Sequence, residues 1–209
     1  MPKAIERVSA RWRGLMGNAA ETALHELIAA YSSAGRHYHN LHHIAALLQL
    51  SAGHTANIAD RDALDLAIFY HDAVYDAKRS DNEAKSAALA RAQLSALGIA
   101  PDRVDKIARW IEATKHSSAA PTGDRDLDHL LDFDLSILAA APAVYEAYTS
   151  AIRREYAIFP DLLYRPGRAK VLRAFIATPA IYRMPELAAK WEARARANLA
   201  EELKLLCRV

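Results

Sequence analysis

Cysteine is almost absent from this 209-residue sequence: Cys207 stands alone, third from the end. A single cysteine closes no internal disulfide, which matches a reducing cytosol and leaves the fold to depend on its core. No His or Lys adjoins Cys207 to activate it, so no reactive role is expected of the thiol. Glycine and proline are also sparse, at 7 and 8 residues, while alanine is frequent, a balance that favours helices. No stretch alternates with period two strongly enough for a sheet. No uncharged apolar run approaches the ~20 residues of a membrane span. Residues 1–20 are broken by Lys3, Glu6, Arg7, Arg11 and Arg13 and lack the apolar centre of a signal peptide. Neither sign of charge dominates: 27 basic against 25 acidic residues leave a net charge of +2. That excludes the basic excess typical of nucleic-acid binders. The expectation is a cytoplasmic protein with a small-molecule partner and neither a nucleic-acid polymer nor a membrane.

What is present is a soluble globular composition, 52% hydrophobic and 25% charged, in a chain long enough to bury a core without staples. The dominant period is helical. A first helix is expected over 18–33, capped by Asn18, with Ala23, Leu24, Leu27, Ile28 and Tyr31 on its inner face. A second carries Leu41, Ile44, Leu47, Leu48 and Leu50 and stops near Gly53. A third begins around Asp60 and runs into His71-Asp72. Ser80 and Glu83 read as a capping box that opens a helix to about Leu97, with Gly98 as its stop signal. Another starts at Pro101. The polar stretch 117–126 is the main internal loop. Helices are then expected over 127–138, 142–156, 168–177 and 185–206, punctuated by Pro160, Pro166 and Pro179. With no repeat, linker or boundary signal, the reading is a single all-α domain. Its motifs lie within 36–138, and residues 140–209 pack on this core, cap it or build a homodimer interface.

Histidine is the informative residue. His37, His39, His42, His43 and His54 crowd one region, and His71 follows. His71-Asp72 ends the apolar run Ile68-Phe69-Tyr70, where an imidazole and a carboxylate cost free energy unless both are satisfied. A divalent metal satisfies both, and adjacent helical positions, about 100° apart, can meet at their common edge. The alternative is a solvated polar pair at a helix end. His39 and His43, four apart, share a face if the helix starts by His39. They would then bind one metal, or place one His on the metal and the other beside a substrate; a His-rich turn in solvent is the plainer reading. Asp132 and Asp134 interrupt the apolar segment 130–138 about 200° apart. Asp134, four before Leu138, is expected to be the buried one and to need a cation or donors. His25, His54 and His129 are expected on the surface, Trp12, Trp110 and Trp191 in packing roles, and the arginines from Arg183 to Arg196 on a solvated face.

The ordered set His43, His71-Asp72 and Asp134 resembles the signature of the HD-domain metal-dependent phosphohydrolases. Tyr38-His39-Asn40-Leu41-His42-His43 is similar to the Tyr-His-Asn-x-x-His motif of cyclic-nucleotide phosphodiesterases in that superfamily. More closely, His37-Tyr38-His39, His71 to Asp76, and Asn82-Glu83-Ala84-Lys85-Ser86 resemble an uncharacterised bacterial family of predicted HD phosphohydrolases of about this length. The segment His71 to Asp76 is also similar to the His-Asp-x-x-Glu-Asp run of alarmone hydrolases, with Tyr75 in place of the Glu.

The resemblance implies an HD-type helical bundle with His43, His71, Asp72 and Asp134 as metal ligands. The mixed N/O set suits one or two divalent ions, of Mn, Fe, Zn, Ni, Co or Mg. It implies a hydrolase of phosphate esters, mono- or diesters, acting on a nucleotide or another small phosphorylated molecule. His39 or His116 would protonate the leaving oxygen, and Asp76 or Glu83 would orient water or hold a second ion. Arg36, Lys115 and Glu83 are candidate substrate contacts, and Lys78 and Arg79 are further nearby cations. Two other readings stand beside it: a non-catalytic metal-binding regulatory module, and a di-iron oxygenase drawing extra ligands from His37, His42 or His116.

Overall fold

The computed structural model describes residues 2–115 and 120–207. Among the described residues the chain is all-α, with ten α-helices, three short 3-10 segments and no strand. The helices are α1 (Pro2–Met16), α2 (Glu21–Tyr31), α3 (Leu41–Gly53), α4 (Arg61–Tyr70), α5 (Asn82–Ala96), α6 (Pro101–Ala113), α7 (Arg125–Asp134), α8 (Pro142–Glu155), α9 (Asp161–Ala177) and α10 (Pro185–Cys207). They fall into two compact units, Met1–His116 and Ser117–Val209. No single described helix is long and apolar enough to cross a membrane.

In the first unit α4 is the central element. It packs against α3, α5 and α6, and every residue from Ala63 to Tyr70 is buried. A helix apolar nearly all round belongs in a core, and this is why the residue that follows it, His71, starts out buried. Asp60 caps α4 by accepting from the Ala63 N–H at 3.0 Å, and its carboxylate also takes Arg103 at 2.6 Å and Lys106 at 2.7 Å. The one charge inside the buried run, Asp65, is matched by Arg11 at 2.6 Å and Arg61 at 3.5 Å.

Arg11 comes from α1, which the periodicity reading passed over. Its inner face is Ala4, Val8 and Trp12, spaced by four. Trp12 is fully buried, meets Phe69 edge to face at 5.1 Å and donates from its indole N–H to the Ala20 carbonyl at 3.1 Å. Two expected caps are corrected. Gly17, at φ 68°, opens a 3-10 turn over Asn18–Ala20, so α2 starts at Glu21 and Asn18 does not cap it. Helix α5 starts at Asn82 after Asp81 rather than Ser80, and no side chain caps it, so the Ser80–Glu83 box does not form. Its far end agrees with the reading. Gly98 at φ 80° lets the Gly98 and Ile99 N–H groups reach the Ser95 and Leu94 carbonyls, a Schellman stop.

In the second unit the 3-10 segment Leu135–Ala139 follows α7 directly and packs against α8 and α10. Leu135, Leu138, Tyr145, Leu172, Tyr182 and Leu199 form its core. Helix α9 starts at Asp161, seven residues before the expected position, and carries Pro166 inside it. The carbonyl that loses its partner to Pro166 belongs to Leu162, which is 84% exposed, so water can satisfy it.

Two surface or burial expectations are also reversed here, and a third is reversed in part. Asp132, not Asp134, is the buried carboxylate. It accepts from the backbone N–H of Arg183 at 2.9 Å and of Met184 at 2.8 Å, with the Arg183 guanidinium 3.7 Å away. Asp134 ends α7 and is half-buried. The 100° spacing fails across 134–138 because the backbone tightens to about 120° per residue in the 3-10 turn. His129 is fully buried rather than on the surface, its Nδ1 2.8 Å from the Arg125 carbonyl. The Arg183 side chain is only 4% exposed and faces Asp128 and Asp132, while Arg196 donates to the Ile176 and Thr178 carbonyls at the end of α9. Arg183 and Arg196 are therefore internal fasteners, while Arg194 is exposed as expected. Trp12 and Trp110 are buried and Trp191 packs against the second core, as expected of packing residues.

Candidate metal centre

The centre forms where α4 ends and α3 begins. His71 directly follows α4 with helical dihedrals, and its N–H closes on the Ala67 carbonyl at 2.9 Å. The chain then leaves the helix through residues 72–76, which α5 pins from the other side. Ser86 Oγ accepts from the Val74 N–H and donates to the Val74 carbonyl. Asn82 accepts from the Asp76 N–H at 3.1 Å and donates to the Asp76 carbonyl at 2.9 Å. Asn40 caps α3 by accepting from the His42 N–H at 2.9 Å, and its amide donates to the His37 carbonyl. This cap places His43 in the first turn of α3, facing inward and 5% exposed.

Three donor atoms meet there. The Nε2 atoms of His43 and His71 are 3.2 Å apart, and Asp72 Oδ2 lies 3.2 Å from His71 Nε2. All three ligand atoms lie within 4.8 Å of one another. His71 Nδ1 is 2.9 Å from the Ile68 carbonyl, a group that can only accept. Nδ1 therefore carries the proton, and in the neutral ring Nε2 presents its lone pair to the other two atoms. His43 Nε2 can meet that lone pair as an N–H donor, and a cation among the three atoms would instead take a lone pair from each of them. Ligand atoms ~2.1 Å from one ion stand about 3–3.4 Å apart in octahedral or tetrahedral geometry, so the two 3.2 Å separations and the donor chemistry suit a divalent transition metal. The Ile68 carbonyl holds the His71 ring from behind, the kind of hydrogen bond that orients metal-binding imidazoles.

His39 lies at the rim. Helix α3 starts at Leu41, so His39 precedes it and the shared-face reading of His39 and His43 does not hold. It nevertheless approaches the group, with Nε2 4.0 Å from Asp72 Oδ2. Its ring stacks on Tyr75 at 4.4 Å and meets Tyr38 edge-on at 4.9 Å. Arg36 is engaged with backbone: Nη1 donates to the His39 and Asp72 carbonyls at 3.1 and 2.6 Å, and Nη2 to the Ala73 carbonyl at 2.9 Å.

The remaining candidates are more dispersed. Asp76 is exposed and its Oδ1 accepts from the Lys78 N–H. Glu83 is half-buried in the first turn of α5. Lys115 is exposed and donates to the Ser80 carbonyl at 2.7 Å, while Arg79 pairs with Asp81. His37 is exposed, and His42 is exposed beside Lys3 and Arg7 along a groove between α1 and α3. Asp134 belongs to the second unit, and His116 lies outside the described residues. Sequence reasoning did not assign Asn82, Ser86 and the Ile68 carbonyl their supporting parts. The four-residue spacing of Asn82 and Ser86 was the legible signal, since it puts both on one helix face. No protein-family model matches the chain, and no curated protein or solved structure matches it significantly.

Proposed function

We propose that this chain is a metal-dependent hydrolase of phosphate esters, of the HD type, acting on a nucleotide or another small phosphorylated molecule. The observation that carries the reading is the convergence of His43 Nε2, His71 Nε2 and Asp72 Oδ2, with the His71 tautomer set by the Ile68 carbonyl. His43, His71 and Asp72 would hold the ion. When bound, such an ion acts as a Lewis acid toward a phosphoryl oxygen and acidifies water.

The chain's own groups have distinct tasks. His39, partly exposed and with Nε2 toward Asp72, holds a proton at the rim and gives it to the leaving oxygen. The Tyr75 ring fixes its orientation. Asp76, on the same turn as Asp72, accepts a hydrogen bond from water. Lys115, tied to Ser80, brings a cation for phosphate to the 76–83 segment. Two imidazoles and one carboxylate suit Mn, Fe, Co, Ni or Zn.

The test is elemental analysis of tag-free protein, wild type beside Asp72→Ala. About one or two equivalents of a transition metal, lost in the variant, are expected, followed by phosphate release from a nucleotide panel with that metal. Asp134→Ala, measured alongside, tests the fourth ligand implied by the resemblance. Protein that stays metal-free after addition of Mn, Fe, Ni or Zn overturns the proposal and leaves His71-Asp72 as a structural pair.

A further inference from the structure

We infer that Arg36 is a positioning residue for this centre rather than a phosphate ligand. Its guanidinium is the fastener between the segment that delivers His39 and the turn that delivers Asp72. One nitrogen, Nη1, takes the carbonyls of both residues, and Nη2 takes that of Ala73. The same group lies over two rings, Tyr31 at 5.0 Å and Tyr75 at 5.5 Å. Tyr31 is fully buried, with its hydroxyl donating to the Phe69 carbonyl on α4 at 3.0 Å. Tyr75 in turn stacks on the His39 ring. Arg36 therefore reaches His39 twice, through its backbone carbonyl and through the Tyr75 ring. Nη1 and Nη2 are engaged with carbonyls, Nε is buried away from any ligand, and the planar fork spans three acceptors that the single nitrogen of a lysine cannot span. Groups that hold a metal ligand's backbone and a neighbouring ring in place orient the ligands, and their loss weakens metal binding about 10–100-fold.

The functional half of this inference rests on the metal-hydrolase reading, and the structural half stands without it, so two readouts keep them apart. In the metal-free full-length protein, the stacked His39 ring protons are expected upfield in the NMR spectrum. Arg36→Lys and Arg36→Ala move them toward ordinary shifts while the His25 and His54 signals stay in place. With Mn or Co added, Arg36→Lys is expected to bind the ion about 10–100-fold more weakly. It lowers kcat toward a nucleotide ester and leaves KM within about twofold. His39 signals unchanged in both variants overturn the fastener whatever the metal does. A raised KM with unchanged metal affinity and kcat overturns it too, and makes Arg36 a substrate contact. A wild type that binds no ion defeats the hydrolase reading alone, and the NMR result then decides the role of Arg36.

Discussion

Asp132 and Asp72 are both carboxylates beside apolar helix ends, yet they solve their burial differently. Asp132 is satisfied by the backbone N–H groups of Arg183 and Met184 and faces the Arg183 guanidinium. Burial nevertheless pushes its carboxyl up to about 6. A carboxyl raised above its unfolded value holds its proton more firmly in the folded state. Stability therefore falls as pH rises from about 4 to about 6 and levels above that. Thermal unfolding of wild type and Asp132→Asn across pH 4 to 8 is expected to show this decline in the wild type and its loss in the variant. Parallel curves refute it. Which of two nearby aspartates goes inside was not legible, because the helical wheel assumes a regular helix and the backbone changes pitch at Leu135. The pair His71-Asp72 was legible, because the apolar run before it has no other exit.

Helix boundaries were readable where a local signal sets them. Pro101 starts α6, Gly98 stops α5 and Asp60 caps α4. Gly98 sits at φ 80°, and a Cβ added there would meet nothing within 4 Å. Gly98→Ala thus isolates backbone strain and is expected to cost about 1 kcal/mol in urea unfolding, with an unchanged denaturant slope. A neutral result would mean that the Schellman stop contributes nothing. Boundaries set by distant packing were not readable. Helix α1 buries three apolar residues, Ala4, Val8 and Trp12, in fifteen positions that also carry five charges, and its worth lies in Trp12 meeting Phe69 and Arg11 meeting Asp65. Helix α9 runs through Pro166 because the orphaned carbonyl lies in a solvated first turn.

The division into two units was not legible either, since no glycine-rich linker or shift in composition precedes residue 117. The group of His43, His71 and Asp72 lies wholly in the first unit, and the proposed ion there gives an expectation for the intact protein. An ion at 100 times its dissociation constant adds about 2.7 kcal/mol to the state that binds it. Hydrogen–deuterium exchange with and without Mn is expected to slow in α3, the end of α4 and residues 71–76, and to stay unchanged in α9 and α10. Uniform slowing throughout would mean that the ion acts elsewhere. All-α architecture followed from alanine abundance and helical period. The supports of the site did not, because several of them are backbone atoms.

The proton on His71 is held by the Ile68 carbonyl, an atom that every amino acid carries. No side-chain substitution at position 68 deletes that acceptor, so an alanine scan passes over it in silence. What would break the contact is a change in count: one residue inserted or removed between Ile68 and His71 turns the ring about 100° away from its anchor. The site is therefore tolerant of spelling and intolerant of spacing along this stretch.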